Sequence, residues 1–166
     1  MTDAAQTHGD MTAPGLEFAF RIVLEFDAGP RLRFEPAFQS GRRGFVAVQG
    51  GTVEGPRLQG RVLSRSGGDW PRLWHSGLVD FEAHYLLEAA DGTPLYIHNR
   101  GLAYAAPEVQ ARIEAGRPVA ADETYCRVTP RFEVPAGPHE WLARTIFVGK
   151  GERRGAQSVF DYYAVT

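Results

Sequence analysis

The sequence has one cysteine in 166 residues, Cys126, which excludes an internal disulfide and any multi-cysteine zinc site. It also has no excess of positive charge. Eighteen Lys and Arg stand against 20 Asp and Glu, for a net charge of −2. Without a basic field to collect phosphates, nucleic acid is not an expected partner. No apolar run approaches the roughly 18–20 residues of a membrane span, so no membrane partner is expected either. The opening MTDAAQTHGDMTAPG lacks the basic start and apolar core of a secretion signal, and the expected location is the cytoplasm. Several catalytic signatures are missing as well. There is no Gly-x-Ser-x-Gly elbow, no Walker loop and no Gly-x-Gly-x-x-Gly after a strand, so neither a serine nucleophile nor a nucleotide cofactor is expected. The histidines show no His-x-x-x-His spacing, and the expectation is no metal and no cofactor.

Breakers are abundant. Nineteen glycines and 11 prolines imply many tight turns, hence short strands in place of long helices. Residues 1–15 read as a mobile tail, and one domain fills 16–166. From Leu16 to Phe26 apolar and polar residues alternate with period two, the pattern of a half-buried strand. Residues 31–44 are irregular. Strands then follow at Phe45–Gln49 (closed by Gly50-Gly51), Thr52–Gly55, Leu58–Ser64, Trp70–His75 and Leu78–Ala89. Asp91-Gly92 is the strongest hairpin signal and leads into Pro94–Asn99. Pro107 to Ala115 is the one convincing helix, with proline in its first turn and Gly116 as a stop. Tyr125–Val134, Trp141–Val148 and Gln157–Val165 complete nine or ten strands. Sequential hairpins without helical crossovers make the sheet antiparallel. The expected fold is a mainly β, closed antiparallel barrel of about 8–10 strands, lipocalin-like in having room for one small ligand. A homodimer is compatible with leftover strand edges.

Several segments, in this order, carry a resemblance: Gly41-Arg42-Arg43, the run Gly50-Gly51-Thr52-Val53-Glu54-Gly55, Gly67-Gly68-Asp69-Trp70, and Asn99-Arg100-Gly101. They continue in Tyr125-Cys126-Arg127-Val128-Thr129-Pro130-Arg131-Phe132-Glu133 and in the stretch from Trp141 to Gly149. Over residues 16–165 the chain resembles the microbial family filed as domain of unknown function 3237. The resemblance implies a compact antiparallel β-barrel and, by its name, no defined activity. Relatives often carry asparagine after Trp-Leu, where this chain has Ala143.

Three groups of residues could carry chemistry. Arg43, Glu54, Asp69 and Trp70 lie in glycine-rich surroundings where backbone can approach a ligand. Asp69, beside a large aromatic, and Glu54, between valine and glycine, are placed as carboxylates with raised pKa that serve as general acid or base. The alternative is that they are turn residues, or ion-paired with Arg42, Arg43 or Arg57. Tyr125 and Arg127 share one face of a strand. If that face is the lumen they donate hydrogen bonds to a carbonyl or anionic ligand, and the resemblance favours the lumen for Tyr125. If not, they are solvated surface. Arg100 could anchor a carboxylate, and Trp141 could wall an aromatic ligand or simply fill the core. His84 and His98 lie on the two strands joined by the Asp91-Gly92 hairpin, where they could be near neighbours, but two imidazoles need a third ligand such as Glu82 to hold a metal. Cys126 reads as a small buried hydrophobe. The expected function is binding of a small molecule, with cofactor-independent isomerase, cyclase or lyase chemistry by Asp69, Glu54 or Tyr125. The alternatives are a non-catalytic carrier barrel and a structural or interaction module.

Overall fold

The computed structural model describes residues 12–29 and 31–166. Most of the expected tail lies outside the described residues. Gly15 exchanges backbone hydrogen bonds of 2.9 and 3.0 Å with Thr166, so the ladder between the first and last strands begins one residue before the expected boundary.

The alternating run Leu16–Phe26 forms β1, with Phe20, Ile22 and Leu24 turned inward and buried. It is followed by β2 (Leu32–Phe34), β3 (Arg42–Glu54), β4 (Gly60–Val62), β5 (Gly68–Leu73), β6 (Leu78–Ala89) and β7 (Pro94–Ala105). Helix α1 (Pro107–Glu114) precedes β8 (Thr124–Glu133), β9 (Phe147–Arg154) and β10 (Gln157–Val165). All pairings are antiparallel. The order β1-β10-β9-β8-β7-β6-β4-β3 closes through β1 on β3, which removes both sheet edges. Ten strands occupy eight positions around the barrel, because β1 with β2 and β4 with β5 are each one strand position interrupted partway.

Three expectations are corrected. The glycine pair Gly50-Gly51 does not end a strand: it lies within the continuous β3. Gly51 has φ +145°, and a Cβ there would stand 1.9 Å from the Val23 carbonyl oxygen, so glycine lets β1 approach. Trp141–Val148 is not one strand. Adjacent apolar Trp141 and Leu142 break the two-residue period and form a 3-10 turn, and β9 starts only at Phe147. Within the expected irregular stretch, Leu32–Phe34 pairs with β3.

The two ends of the barrel differ. At one end Leu58, Leu87, Leu95, Leu142 and Phe147 are each at most 3% exposed and close the lumen. Trp141 packs on Phe147 at 5.7 Å between ring centroids and lies under the Arg57 guanidinium. At the other end the inward-facing Phe26, Val46, Leu73, Val79, Ala103 and Cys126 are all partly exposed. The barrel is therefore tightly packed at one end and partly exposed at the other, its mouth.

Candidate functional site

The orientation of Asp69 depends on a break in one strand. In β4 the register with β6 pairs Val62 with Leu87, whereas in β5 it pairs Gly68 with His84. Six residues on one strand thus span three on the other, a wide bulge between Val62 and Gly68. An odd number of extra residues inverts the faces. Asp69 comes to lie opposite the buried Ala83, facing inward, while Trp70 lies opposite Glu82, facing outward. The bulge is held by the Ser66 hydroxyl, which donates to the Leu63 carbonyl at 2.7 Å and accepts from the Leu86 amide at 3.0 Å. The Val48 amide in addition donates to the Gly67 carbonyl at 3.0 Å.

Inside, Asp69 is one of a ring of polar groups contributed by neighbouring strands: Tyr85 from β6, Asn99 from β7, Cys126 from β8 and Tyr162 from β10. Asn99 is fully buried, and its Nδ2 donates to the Tyr162 hydroxyl at 3.0 Å. Asp69 Oδ1, Asn99 Oδ1 and the Tyr85 hydroxyl are sealed from solvent and make no hydrogen bond of normal geometry. The Tyr85 hydroxyl has the Tyr162 phenol as its neighbour. Buried polar atoms are nearly always paired, so the unpaired Asp69 Oδ1 and Asn99 Oδ1 set this ring apart from the core around it.

Burial pushes the Asp69 carboxyl up from 3.8 to about 7, against the opposing pull of Arg31 and of the Trp70 backbone amide. Burial also drives the Tyr85 and Tyr162 phenols above their ordinary range, with the Asp69 charge adding to the effect on Tyr85. Cys126 is raised to about 11, again mainly by burial. Two guanidiniums stand at the mouth. Arg31 lines a recess of about 110 Å³ with Asp27, Leu32, Phe45 and Val46, and Arg153 lies over the Phe26 ring at 5.7 Å. Burial, then the charge of Arg31, lowers the Arg153 pKa, which places the two cations within electrostatic reach of each other.

The other expected residues are not brought together with Asp69. The lumen reading of Tyr125 is corrected: the inward face of β8 carries Cys126, Val128, Pro130 and Phe132, so Tyr125 is on the outer wall, 50% exposed beneath Arg127. Arg127 shares that wall and donates to the Cys126 carbonyl at 2.9 Å. Glu54 is exposed at the closed end, and Trp141 belongs to the plug there. Arg43 and Trp70 line an open groove of about 330 Å³ on the outer face with Glu82 and His84. Arg100 is outside as well, its Nε 3.0 Å from Glu82. Tyr85, Asn99 and Tyr162 were not among the expected site residues. The available signal was a polar atom on the apolar face of a strand, which for tyrosine is masked by its hydrophobic ring.

Comparison with known proteins accounts for this architecture. The family model described as a protein of unknown function, DUF3237, matches residues 14–165. The chain belongs to that family. Protein RPA1785 of Rhodopseudomonas palustris is 32% identical over 126 residues, 76% of this chain and 82% of its own. The crystal structure of RPA1785, described as a conserved protein of unknown function, superposes with a TM-score of 0.86 at 28% identity over 94% of this chain and all of that one. A β-barrel-like protein from Acinetobacter baumannii gives a TM-score of 0.81 at 27% identity, covering 95% of this chain and 99% of that one. A protein from Penicillium herquei described as an enzyme gives a TM-score of 0.69 at 20% identity over 95% and 98% of the two chains. That similarity is one of fold.

Proposed function

We propose that this DUF3237 barrel is an acid–base enzyme acting, without a cofactor, on a small oxygenated metabolite bound in the mouth of the lumen. The carrying observation is the inward carboxyl of Asp69, with one oxygen sealed and unpaired and a pKa of about 7. A carboxyl of that pKa is divided between acid and base at neutral pH, the condition under which proton transfer is most effective. Isomerisation, cyclisation, dehydration and retro-aldol cleavage each require one positioned proton donor or acceptor. They also require hydrogen bonds to an oxygen that gains charge. Tyr85, which feels the Asp69 charge, and Asn99, one strand further round the barrel, offer polar atoms, and the partly exposed Val46, Val79 and Ala103 offer apolar wall. Arg31 and Arg153 suit a substrate carrying a carboxylate or enolate oxygen. Tyr125 and Glu54 have no part in this chemistry.

The test is a thermal-shift screen of small keto acids, hydroxy acids and phenolic ketones, with hits followed for turnover by mass spectrometry. The expected result is a hit that wild type converts and that Asp69→Asn binds but does not convert. Conversion by Asp69→Asn removes Asp69 as the acid or base. Hits that bind but are never converted favour the non-catalytic carrier.

A further inference from the structure

On the outer face of the same wall, a second constellation has no role in the luminal chemistry. His84 on β6 and His98 on β7 are directly opposed in the ladder, and their rings stack at 4.1 Å with 17° between planes. Glu82 lies two residues before His84, so β-strand periodicity puts it on the same face. Its two oxygens are differently engaged. Oε1 receives the Arg100 Nε–H at 3.0 Å, while Oε2 faces His98 Nε2 at 3.8 Å, too far for a hydrogen bond. His98 Nε2 is sealed from solvent and has no hydrogen-bond partner. His84 meets the Tyr96 hydroxyl through Nδ1, which leaves its Nε2 for another partner. One ligand atom from each of the three residues lies within 4.8 Å of the other two.

We propose that Glu82, His84 and His98 form a binding site for a single first-row divalent metal ion of the zinc type, open on one side to the groove containing Arg43 and Trp70. Two imidazoles and one carboxylate are a donor set that zinc-type ions accept with a coordination position left open. Zinc bonds of about 2.0–2.2 Å place tetrahedral ligand atoms about 3.3 Å apart, so the three ligand atoms have to close by at most about 1.5 Å, with the stacked imidazoles turning toward the ion. The supporting contacts are those of a metal site. Tyr96 engages Nδ1 of His84 and leaves Nε2 for the ion, and Arg100 holds the second oxygen of Glu82 and orients the carboxylate. The ion would give the orphaned His98 nitrogen a partner. Two neutral imidazoles and one carboxylate leave the complex positive, and Arg43 and Arg100 add to that charge, so the open position suits an anion such as hydroxide or a carboxylate. The site shares no residue with the proposed luminal activity of Asp69.

The full chain, stripped of metal by a chelator, is titrated with Zn²⁺ by calorimetry and with Co²⁺ by visible absorption. Expected are one equivalent bound, four- or five-coordinate cobalt bands, and no thiolate charge-transfer band, since Cys126 faces the lumen. His98→Ala and Glu82→Gln should each weaken binding at least tenfold, and Tyr96→Phe about tenfold. Should a ligand variant fail to fold, imidazole NMR of the wild type with Zn²⁺ gives an independent test. The His84 and His98 nitrogens must shift together. Absence of saturable binding, binding indifferent to both ligand variants, or imidazole shifts confined to other histidines would overturn the proposal.

Discussion

Replacing Asp69 by asparagine should stabilise the protein, and by an amount that depends on pH in a defined way. An unfolded aspartate ionises near 3.8, whereas the folded-state value is about 7. Between these values the folded form keeps its proton and the unfolded form loses it, so the unfolded state gains on ionisation. Wild-type stability therefore carries no penalty from this group below about pH 4. It loses about 1.4 kcal/mol for each pH unit up to about 7, then levels off. The full interval corresponds to about 4 kcal/mol, an upper limit because the side chain keeps some contact with solvent. Asparagine is nearly isosteric and does not ionise, so the stability difference between variant and wild type isolates the carboxyl. Urea unfolding at intervals from pH 4.5 to 8.5 should show that difference rising in favour of the variant and flattening above about pH 7. At about 2–4 °C for each kcal/mol in a domain of this size, the Tm gap at pH 8 should approach 10 °C. A difference independent of pH would show that Asp69 is not held neutral by burial. The acid–base proposal would then lose its carrying observation.

Once a substrate is found, kcat/KM should show an inflection near pH 7, and a flat profile from pH 5.5 to 8.5 would remove the Asp69 carboxyl from the rate-determining chemistry. Tyr162→Phe strands the buried Asn99 amide and should cost about 1–3 kcal/mol, largely recovered when Asn99→Leu is added; urea unfolding of the two variants checks it. Gly67→Ala puts a Cβ 1.7 Å from the His84 carbonyl oxygen and should cost about 3 kcal/mol or more by the same assay. Gly92→Ala, with φ +85° and no atom within 4 Å, should cost only the backbone strain of about 1–2 kcal/mol. Cys126, raised from 9.0 to about 11, should react with iodoacetamide at pH 8 about a hundredfold more slowly in the folded protein than in urea; equal rates would contradict its burial.

The fold was legible in the sequence because its signals are local. The alternation from Leu16 to Phe26 marks β1, the Asp91-Gly92 turn sets the hairpin that opposes His84 and His98, and proline with a following glycine brackets α1. The absence of helical crossovers made the sheet antiparallel, and the number of strands pointed to closure. Asp69 could be named as a candidate from residue type and neighbours alone, and the nearness of His84 and His98 could be read from the turn, although no metal was expected there.

What the chain alone could not decide is which face of each strand lines the lumen. Period two leaves that choice open, and one bulge residue more or less reverses it. The three extra residues before Gly68 turn Asp69 inward and Trp70 outward, and the packing of Val128, Pro130 and Phe132 into the core puts Tyr125 outside. Closure then sets Tyr85, Asn99 and Tyr162, distant in sequence, around one carboxyl, and the low dielectric they share raises its pKa. Such a site depends on how strands meet across the barrel, and no short window of sequence contains that information.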